Sequence, residues 1–288
     1  MTPKLTIDDL LHLGIEQGDL QQPQLPSYFD PNREADWMFM RGKPRSCFTL
    51  DLLSQIELKQ LRSVQRHQSD GDISFAVVAS AVEGVFNLGG DLSLFSQAII
   101  DKDRAALLDY ALKCVQVINT NMNHHSKDLI SISLVQGDAL GGGFEAAISS
   151  NILVAEKGAK MGMPEVLFNL FPGMGAWTFL SRKMQPAKAR DLILSGNLYS
   201  AEEMHEMGVV DILAEPGFGV DAVNNFMDKA RRAPNSYKAL NKIMDYDMRW
   251  PTHQELIDIT TLWADSALNI TEKDIRMMKR LVSRQNKL

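Results

Sequence analysis

The stretch VQGDALGGGFEAAISSNILVAEKGAKMGMPEVLFNLFPGMGAWTFLSR, residues 135–182, contains the residues on which the fold and the chemistry depend. It starts at the end of an apolar run, LISISLVQG (129–137), which is typical of a strand buried on both faces. A glycine turn at 141–143 leads into a helix start, and NILVAE (151–156) predicts a further strand. This stretch therefore predicts buried strands that alternate with glycine turns and helices.

The same alternation continues on both sides of it. ISFAVVAS (73–80) predicts another buried strand, VVDILA (209–214) a last short one, and CFTLDLL (47–53) a short strand that leads into a helix. Helical patterns cover about 52–67, 104–124, 175–194, 200–207 and nearly everything from 217 onward, including an amphipathic pair at about 252–268 and 271–285. Strands separated by helices indicate an α/β fold.

Composition shifts suggest three parts. Residues 1–45 contain the Pro- and Gln-rich segment QQPQLPSYFDPN and predict an N-terminal extension that wraps on the main domain. Residues 46–215 form the strand-rich core, and residues 216–288 an all-helical region. The uncertainty of the second boundary is about ten residues, wider than is usual for a single element.

Bulk properties narrow the class of protein. A net charge of −6 on 288 residues gives no electrostatic support for general nucleic-acid binding. The two cysteines, Cys47 and Cys114, are isolated, and the adjacent His124 and His125 do not suit a metal pair, so we expect no metal and no disulfide. The polar, acidic start is unlike a signal peptide, and no apolar run reaches the roughly 18 residues of a membrane span. We expect a cytoplasmic protein.

Two glycine loops lie at strand-to-helix junctions. The first is the segment Asn87-Leu88-Gly89-Gly90-Asp91, and the second is Gly141-Gly142-Gly143-Phe144-Glu145. Helix starts carry unpaired N–H groups, and two of them that face each other would form an oxyanion hole. An ordinary turn is the alternative for either loop, and phosphate binding is another. The chain has no GxxxxGK[ST] and no GxGxxG with a following acidic residue, which argues against a nucleotide.

Two glutamates stand at predicted helix starts among apolar residues. Glu145 follows the glycines, and Glu165 follows Pro164. Each is consistent with a first-turn carboxylate that stabilises the helix dipole. Each is also consistent with a buried acid or base, because burial raises a carboxyl pKa towards the range useful for proton transfer.

The spacing of these motifs resembles the crotonase (enoyl-CoA hydratase/isomerase) superfamily. Its signature combines a G-x-A-x-G-G-G-x-E loop with a Pro-Glu pair whose glutamate lies 20 residues after the first, as Glu165 follows Glu145 here. FNLGGDL (86–92) resembles the family's A-G-x-D loop, and MGVVD (207–211) its G-[LV]-V-[DN] segment. The resemblance covers about residues 47–285. Two departures are Asn151, where Asp is usual, and Leu88, where Ala is common.

The resemblance implies a fold and a role for each matching residue. The fold would be a ββα-spiral core followed by a C-terminal helical region that builds a homotrimer or a dimer of trimers. The amides of Gly90 and Gly142 would hold the thioester oxygen, and Glu145 and Glu165 would be the acid/base pair at the β- and α-carbons. No cofactor and no metal would be needed. The residues implied to contact substrate are Leu88, Gly89, Gly141 and Trp177.

A finer resemblance is to the diffusible signal factor synthases of Gram-negative bacteria. It is carried by WMFMRGKPRSCFTLDLL (37–53), VQGDALGGGFEAA (135–147) and PEVLFNLFPGMGAWTFLSRK (164–183). It implies dehydration of 3-hydroxyacyl chains on acyl carrier protein to the cis-2-enoyl thioester, hydrolysis to a free fatty acid signal, and a sensor kinase as partner. The alternatives are an enoyl-CoA hydratase of fatty-acid degradation and a non-catalytic binding protein of the same fold. Loss of a glutamate would have favoured the latter, and both are present.

Charge and apolar patterns add two expectations. Two basic clusters could steer an acidic carrier or the phosphates of CoA, although for any one of these residues a solvated helix face is the simpler explanation. Their members are Arg182, Lys183, Lys188 and Arg190 in the first, and Arg276, Lys279, Arg280 and Arg284 in the second. The apolar stripe Leu256, Ile259, Leu262 and Trp263 is expected to pack over the acyl site and to build the trimer.

Overall fold

A six-stranded sheet and a smaller four-stranded sheet form the centre of the computed structural model, which describes residues 5–16, 23–66, 74–123, 129–244 and 251–285. The larger sheet has the order β1-β2-β3-β5-β7-β10, and the smaller has the order β4-β6-β8-β9. The strands are β1 (Ser27–Asp30), β2 (Ala35–Met40), β3 (Ser74–Ser80), β4 (Val85–Asn87), β5 (Leu129–Val135), β6 (Asp138–Leu140), β7 (Ile152–Glu156), β8 (Lys160–Gly162), β9 (Leu198–Ser200) and β10 (Ile212–Ala214).

Helices cover both faces of this core. They are α1 (Ile7–Glu16), α2 (Leu50–Arg66), α3 (Leu92–Ile100), α4 (Arg104–Asn123), α5 (Gly142–Ile148), α6 (Ala176–Lys183), α7 (Pro186–Ser195), α8 (Ala201–Glu206), α9 (Gly219–Arg231), α10 (Pro234–Met244), α11 (His253–Ala267) and α12 (Glu272–Gln285). A 3-10 turn, Pro164–Phe168, follows β8. Within the described ranges, none of the helices is both long and apolar enough to cross a membrane.

A ββα unit repeats three times and builds the spiral. Each unit has a strand of the large sheet, a short strand of the small sheet, and then a helix or helical turn: β3-β4-α3, β5-β6-α5, and β7-β8 with the 3-10 turn. Strands β3, β5, β7 and β10 are parallel neighbours, as are β4, β6 and β8. The predicted α/β class and ββα-spiral core are thus confirmed.

Glycines form the corners where the chain passes from the large sheet to the small one. Gly84 has φ +70° and Gly158 φ +87°, which side chains rarely tolerate. A Cβ on Gly137 would lie 2.1 Å from the backbone carbon of Gly84. Successive turns of the spiral therefore stack backbone on backbone at this corner.

The large sheet is buried on both faces, which explains its continuous apolar runs. On one face, Phe75, Ile132 and Val154 pack against α9 and α1. On the other face lies the larger core, between the sheet and helices that include α2, α4 and α5. Because α9 comes from the region after residue 215, that helical region covers one face of the sheet.

Most predicted elements are present at their predicted places. The buried strands become β3, β5 and β7, and the amphipathic pair becomes α11 and α12. The strand predicted around residue 47 was wrong, since only a bridge between Phe48 and Gly90 forms there. The helix that follows starts at Leu50, where Thr49 Oγ1 accepts from Leu52 N at 3.1 Å.

The segment predicted as an extension contributes strands that were not predicted. Strand β2 pairs in parallel with β3 along its whole length, and β1 pairs antiparallel with β2. The described part of residues 1–45 is therefore continuous with the sheet. The divisions at 45 and 215 stay predictions, and His124 and His125 lie outside the described residues.

Candidate active site

A largely apolar cavity of about 170 Å³ lies where the glycine loops, the 3-10 turn and the C-terminal helices meet. Seven of the eight predicted site residues line it: Leu88, Gly89, Gly90, Gly141, Gly142, Glu145 and Glu165. Other lining residues include Phe95, Tyr110, Cys114, Phe168, Met174, Trp263, Leu281 and Gln285. Leu167 and Leu198 line the cavity and are exposed, so they mark its mouth.

Hydrogen bonds hold the first glycine loop, residues 88–91, from three sides. Of its carbonyls, Leu88 O and Gly90 O both accept from Gln285 Nε2. Gly89 O accepts from Phe48 N, and Asp91 O accepts from Phe95 N. Of its amides, Leu88 N donates to Ser46 O, Gly89 N to Asn87 Oδ1, and Asp91 N to Tyr110 Oη. Among the described residues, the Gly90 N–H is the one backbone polar group of this loop without a partner. Gly90 is partly exposed and lines the cavity, so this donor is available to a ligand oxygen there.

The second glycine loop brings another N–H beside it. Gly141 has φ +53°, its N–H donates to Gly162 O, and its carbonyl accepts from Glu145 N. The next amide, Gly142 N, starts α5 and has no acceptor in the described parts of the chain. A Cβ on Gly89 would lie 3.0 Å from Gly142 N, and one on Gly142 would lie 3.4 Å from Gly90 N. The two unpartnered amides are therefore close neighbours in the cavity wall, as an oxyanion hole requires.

Glu145 is held as an acceptor. It is 1% exposed, and its Oε1 accepts from Met174 N at 2.8 Å and Ala176 N at 2.9 Å. The turn that presents these amides bends at Gly175, with φ +119°. Burial raises the pKa of Glu145, and the backbone N–H groups of 174–176 oppose that rise.

Glu165 lies in a different environment. It belongs to the 3-10 turn, and its Oε1 would be 2.3 Å from a Cβ on Gly141, so it packs directly on the second loop. Its Oε2 is buried without a hydrogen-bond partner among the described residues. Burial, and then the charge of Glu145, raise the pKa of Glu165. Because Glu145 has the amide donors and Glu165 has none on Oε2, the resting pair favours charge on Glu145 and a proton on Glu165. Such a pair supplies one base and one acid.

The structure does not bring Trp177 to this site. It lies on α6, is 42% exposed and does not line the cavity. Its neighbours on the sequence do reach the site, because Met174 lines the cavity and the amide of Ala176 binds Glu145. The glycine turn, and not the aromatic residue after it, connects this segment to the carboxylates.

Several lining residues were not singled out from the sequence as site residues. Trp263 was expected over the acyl site and is buried against Gly173, whereas Gln285 carried no signal. Cys114 also lines the cavity, and burial raises the pKa of its thiol to about 12, which makes it a poor nucleophile. The described residues contain no group of three side chains that could hold a metal ion.

The spiral fold and the paired loops define a class, the crotonase superfamily. A family model for enoyl-CoA hydratase/isomerase matches residues 50–276, and the chain belongs to that family. Members of this family are enzymes.

Individual relatives and solved structures are also similar to this chain. Peroxisomal fatty acid beta-oxidation multifunctional protein AIM1 of Arabidopsis thaliana is 33% identical over 142 residues, 49% of this chain. This chain spans only 19% of the length of that protein. An enoyl-CoA hydratase structure from Bacillus halodurans superposes with a TM-score of 0.77 at 16% identity, over 90% of this chain and 99% of that one. The structure of DspI from Pseudomonas aeruginosa gives 0.67 at 23% identity, over 77% and 86%. At these identities the two structures support the fold alone.

Proposed function

We propose that the chain dehydrates 3-hydroxyacyl thioesters on acyl carrier protein and hydrolyses the thioester, releasing a cis-2-unsaturated fatty acid of the diffusible signal factor class. The observation that carries the proposal is the site itself. Two carboxyls with raised pKa values stand beside two amides, Gly90 N and Gly142 N, that have no acceptor among the described residues, in an apolar cavity. The finer resemblance in residues 37–53 and 164–183 supports the choice of product.

Dehydration uses both glutamates. Glu165 as carboxylate takes the α-proton, and the electron pair moves towards the carbonyl oxygen, where Gly90 N and Gly142 N stabilise the enolate. Each such donor is typically worth about 3 kcal/mol. Glu145 as acid then gives its proton to the departing β-hydroxyl, so water leaves and the α,β double bond forms.

This step starts from the form in which the proton sits on Glu145. The resting pair favours the proton on Glu165, so the proton must first move between the two carboxyls. Because burial raises both pKa values, either carboxyl can hold the proton, and the form with the proton on Glu145 is the less populated of the two.

Hydrolysis can start from the resting form, with charge on Glu145, without a prior proton transfer between the carboxyls. Glu145 as carboxylate takes a proton from water, whose oxygen attacks the thioester carbon. Gly90 N and Gly142 N hold the tetrahedral oxyanion, which collapses and expels the thiolate. The proton from Glu145 passes to the thiolate, which leaves a free fatty acid and the carrier thiol.

An enoyl-CoA hydratase of fatty-acid degradation is the second candidate. The family match and the name of the Arabidopsis relative support it. The same residues perform hydration, with Glu145 activating water and Glu165 protonating the α-carbon. A hydratase would leave the thioester intact, so release of free acid separates the two candidates.

The position of the basic residues supports a protein carrier. In the first cluster Arg182 is paired with Glu255, Lys183 with Asp211 and Arg190 with Asp191. The second cluster lies on α12, the helix whose Leu281 and Gln285 line the cavity and which contacts the 3-10 turn at the mouth.

Arg276 and Lys279 of that cluster are exposed, and within the described part of the chain the ion pair of Arg276 is a loose one with Glu272 at 3.6 Å. We infer that an acidic acyl carrier protein approaches along α12 and inserts its acyl chain past Leu167 and Leu198. The side chain of Arg284 lies outside the described ones.

The test replaces each glutamate by its isostere. Glu145→Gln and Glu165→Gln should both abolish the cis-2-unsaturated acid made from 3-hydroxyacyl carrier protein. On a saturated acyl carrier protein without the hydroxyl, only Glu145→Gln should stop release of the free acid. Glu57→Gln, an exposed glutamate on α2, is the matched control. Mass spectrometry of both acids, on variants shown by circular dichroism to fold, measures the outcome. Wild-type rates of cis-2-unsaturated product from either variant would refute the assignment.

A further inference from the structure

We propose that Gln285 is a positioning residue for the oxyanion hole, which it orients from the C-terminal helix. The inference rests on the proposed role of the Gly90 amide. It concerns a residue outside the two glycine loops and the two catalytic glutamates.

The contacts of Gln285 bracket the donor. Its Nε2 donates to Leu88 O at 3.1 Å and to Gly90 O at 2.9 Å, the carbonyls on either side of the Gly89–Gly90 peptide. Phe48 N fixes the carbonyl of that peptide itself at 2.8 Å. Gln285 is 2% exposed, so these bonds are shielded from competing water.

The loop needs such a restraint because its two glycines, Gly89 and Gly90, have no side chains that could fix its conformation. Gly89 has φ +88°, and Gly90 follows it, so neither residue has a side chain of its own to limit rotation of the adjoining peptides. Asn87 Oδ1 and Tyr110 Oη hold the N–H side of these two peptides, and Gln285 holds the carbonyl side. If the carbonyls of Leu88 or Gly90 turned into the cavity, their negative ends would face the developing oxyanion. Gln285 binds both carbonyls, so neither is free to turn towards the oxyanion, and the Gly90 N–H remains the donor that this loop offers to the ligand.

The chemistry of the side chain fits this task. A primary amide carries two N–H donors and no charge, so it can satisfy two carbonyls in an apolar wall. A carboxylate would be repelled by both carbonyl oxygens, and an ammonium would pay the desolvation of a buried charge. The Oε1 atom of Gln285 is buried and unpartnered within the described residues, so the bonds of Nε2 account for the orientation of this side chain.

The experiment compares Gln285→Met, which keeps length and removes the donors, with Gln285→Glu, which keeps shape. Lys273→Met, an exposed change on α12, is the control. We expect kcat for thioester hydrolysis to fall by about tenfold in Gln285→Met with KM within about threefold, less than the 10²–10³ seen when an oxyanion donor is removed outright. The carbonyl stretch of a bound thioester, labelled with ¹³C at the carbonyl, should return towards its frequency in water.

Gln285→Glu gives a second readout that a purely structural role would not produce. A glutamic acid can donate one of the two bonds only while protonated, so the activity of this variant should decline with rising pH relative to wild type. If Gln285→Met does not fold, this pH profile carries the test.

Unchanged kcat and an unchanged carbonyl frequency in Gln285→Met would overturn the inference, as would a parallel pH profile for Gln285→Glu. A wild-type protein that does not shift the carbonyl frequency at all would instead contradict the proposed function.

Discussion

Replacing Gly141 by alanine separates backbone strain from displacement of the Glu165 carboxyl, to which we assign a catalytic role. The new Cβ would stand 2.3 Å from Glu165 Oε1, inside any contact distance, so the carboxyl must move. Gly141 also has φ +53°, where an L-residue costs about 1–2 kcal/mol. Gly84 provides the matched control, because its φ is +70° and a Cβ there meets nothing within 4 Å. Both variants should thus carry similar strain, and only Gly141→Ala should disturb the site.

We therefore expect the two variants to lose similar stability and very different activity. About 1–2 kcal/mol lowers the melting temperature of a chain of this size by a few degrees. A misplaced acid/base group should lower kcat for dehydration by about 10² to 10⁴, its usual contribution. Thermal unfolding by circular dichroism and a mass-spectrometric assay of the unsaturated acid measure the two quantities. If Gly141→Ala lost no more activity than Gly84→Ala, the packing of Glu165 on the second loop would not matter for catalysis.

Three further outcomes follow from the structure. Because burial raises the pKa of Glu165 in the fold, wild type loses stability as pH rises from the ordinary glutamate range through the raised value. Denaturant titrations should show that the free energy of unfolding of Glu165→Gln rises relative to that of wild type over this pH window and not below it. Charge reversal at Arg276 and Lys279 should lower kcat/KM for carrier-bound substrate at low salt, and equal reversal at the exposed Lys188 and Arg190 should not; equal losses in both would argue against docking along α12. Native mass spectrometry should find a trimer that Leu262→Asp weakens, since Leu262 on α11 is 62% exposed; a monomeric wild type at micromolar concentration would contradict this.

Much of the fold was readable from the sequence because local signals and tertiary demands agree. Parallel strands buried on both faces need continuous apolar runs, and β3, β5 and β7 have them. The spacing from Glu145 to Glu165 correctly predicted that the two residues lie in one site, because both follow short neighbouring strands of one sheet, β6 and β8. Strand β2 was not predicted, because its parallel partner β3 begins 39 residues after Ala35 and the pairing needs no local turn that a sequence pattern could indicate.

The rest of the site depends on contacts that no local pattern carries. Trp177 follows the glycines, but the face of α6 on which it falls is set by the turn at Gly175, which points Met174 inward and leaves the indole outside. Gln285 contacts Leu88 across 197 positions, with no periodic or motif signal at either end. The sensor kinase implied by the finer resemblance likewise stays a prediction.

The bonds from α12 to the first glycine loop would also make the proposed catalysis depend on a helix end, which is the least stable part of a helix. Helix termini open by local unfolding at a free-energy cost well below that of global unfolding. Gln285 lies in the C-terminal turn of α12, so each such opening frees the carbonyls of Leu88 and Gly90 while the two sheets stay intact. Amide hydrogen exchange in this turn should therefore run in parallel with thermal inactivation, at temperatures where the spiral itself is still fully protected.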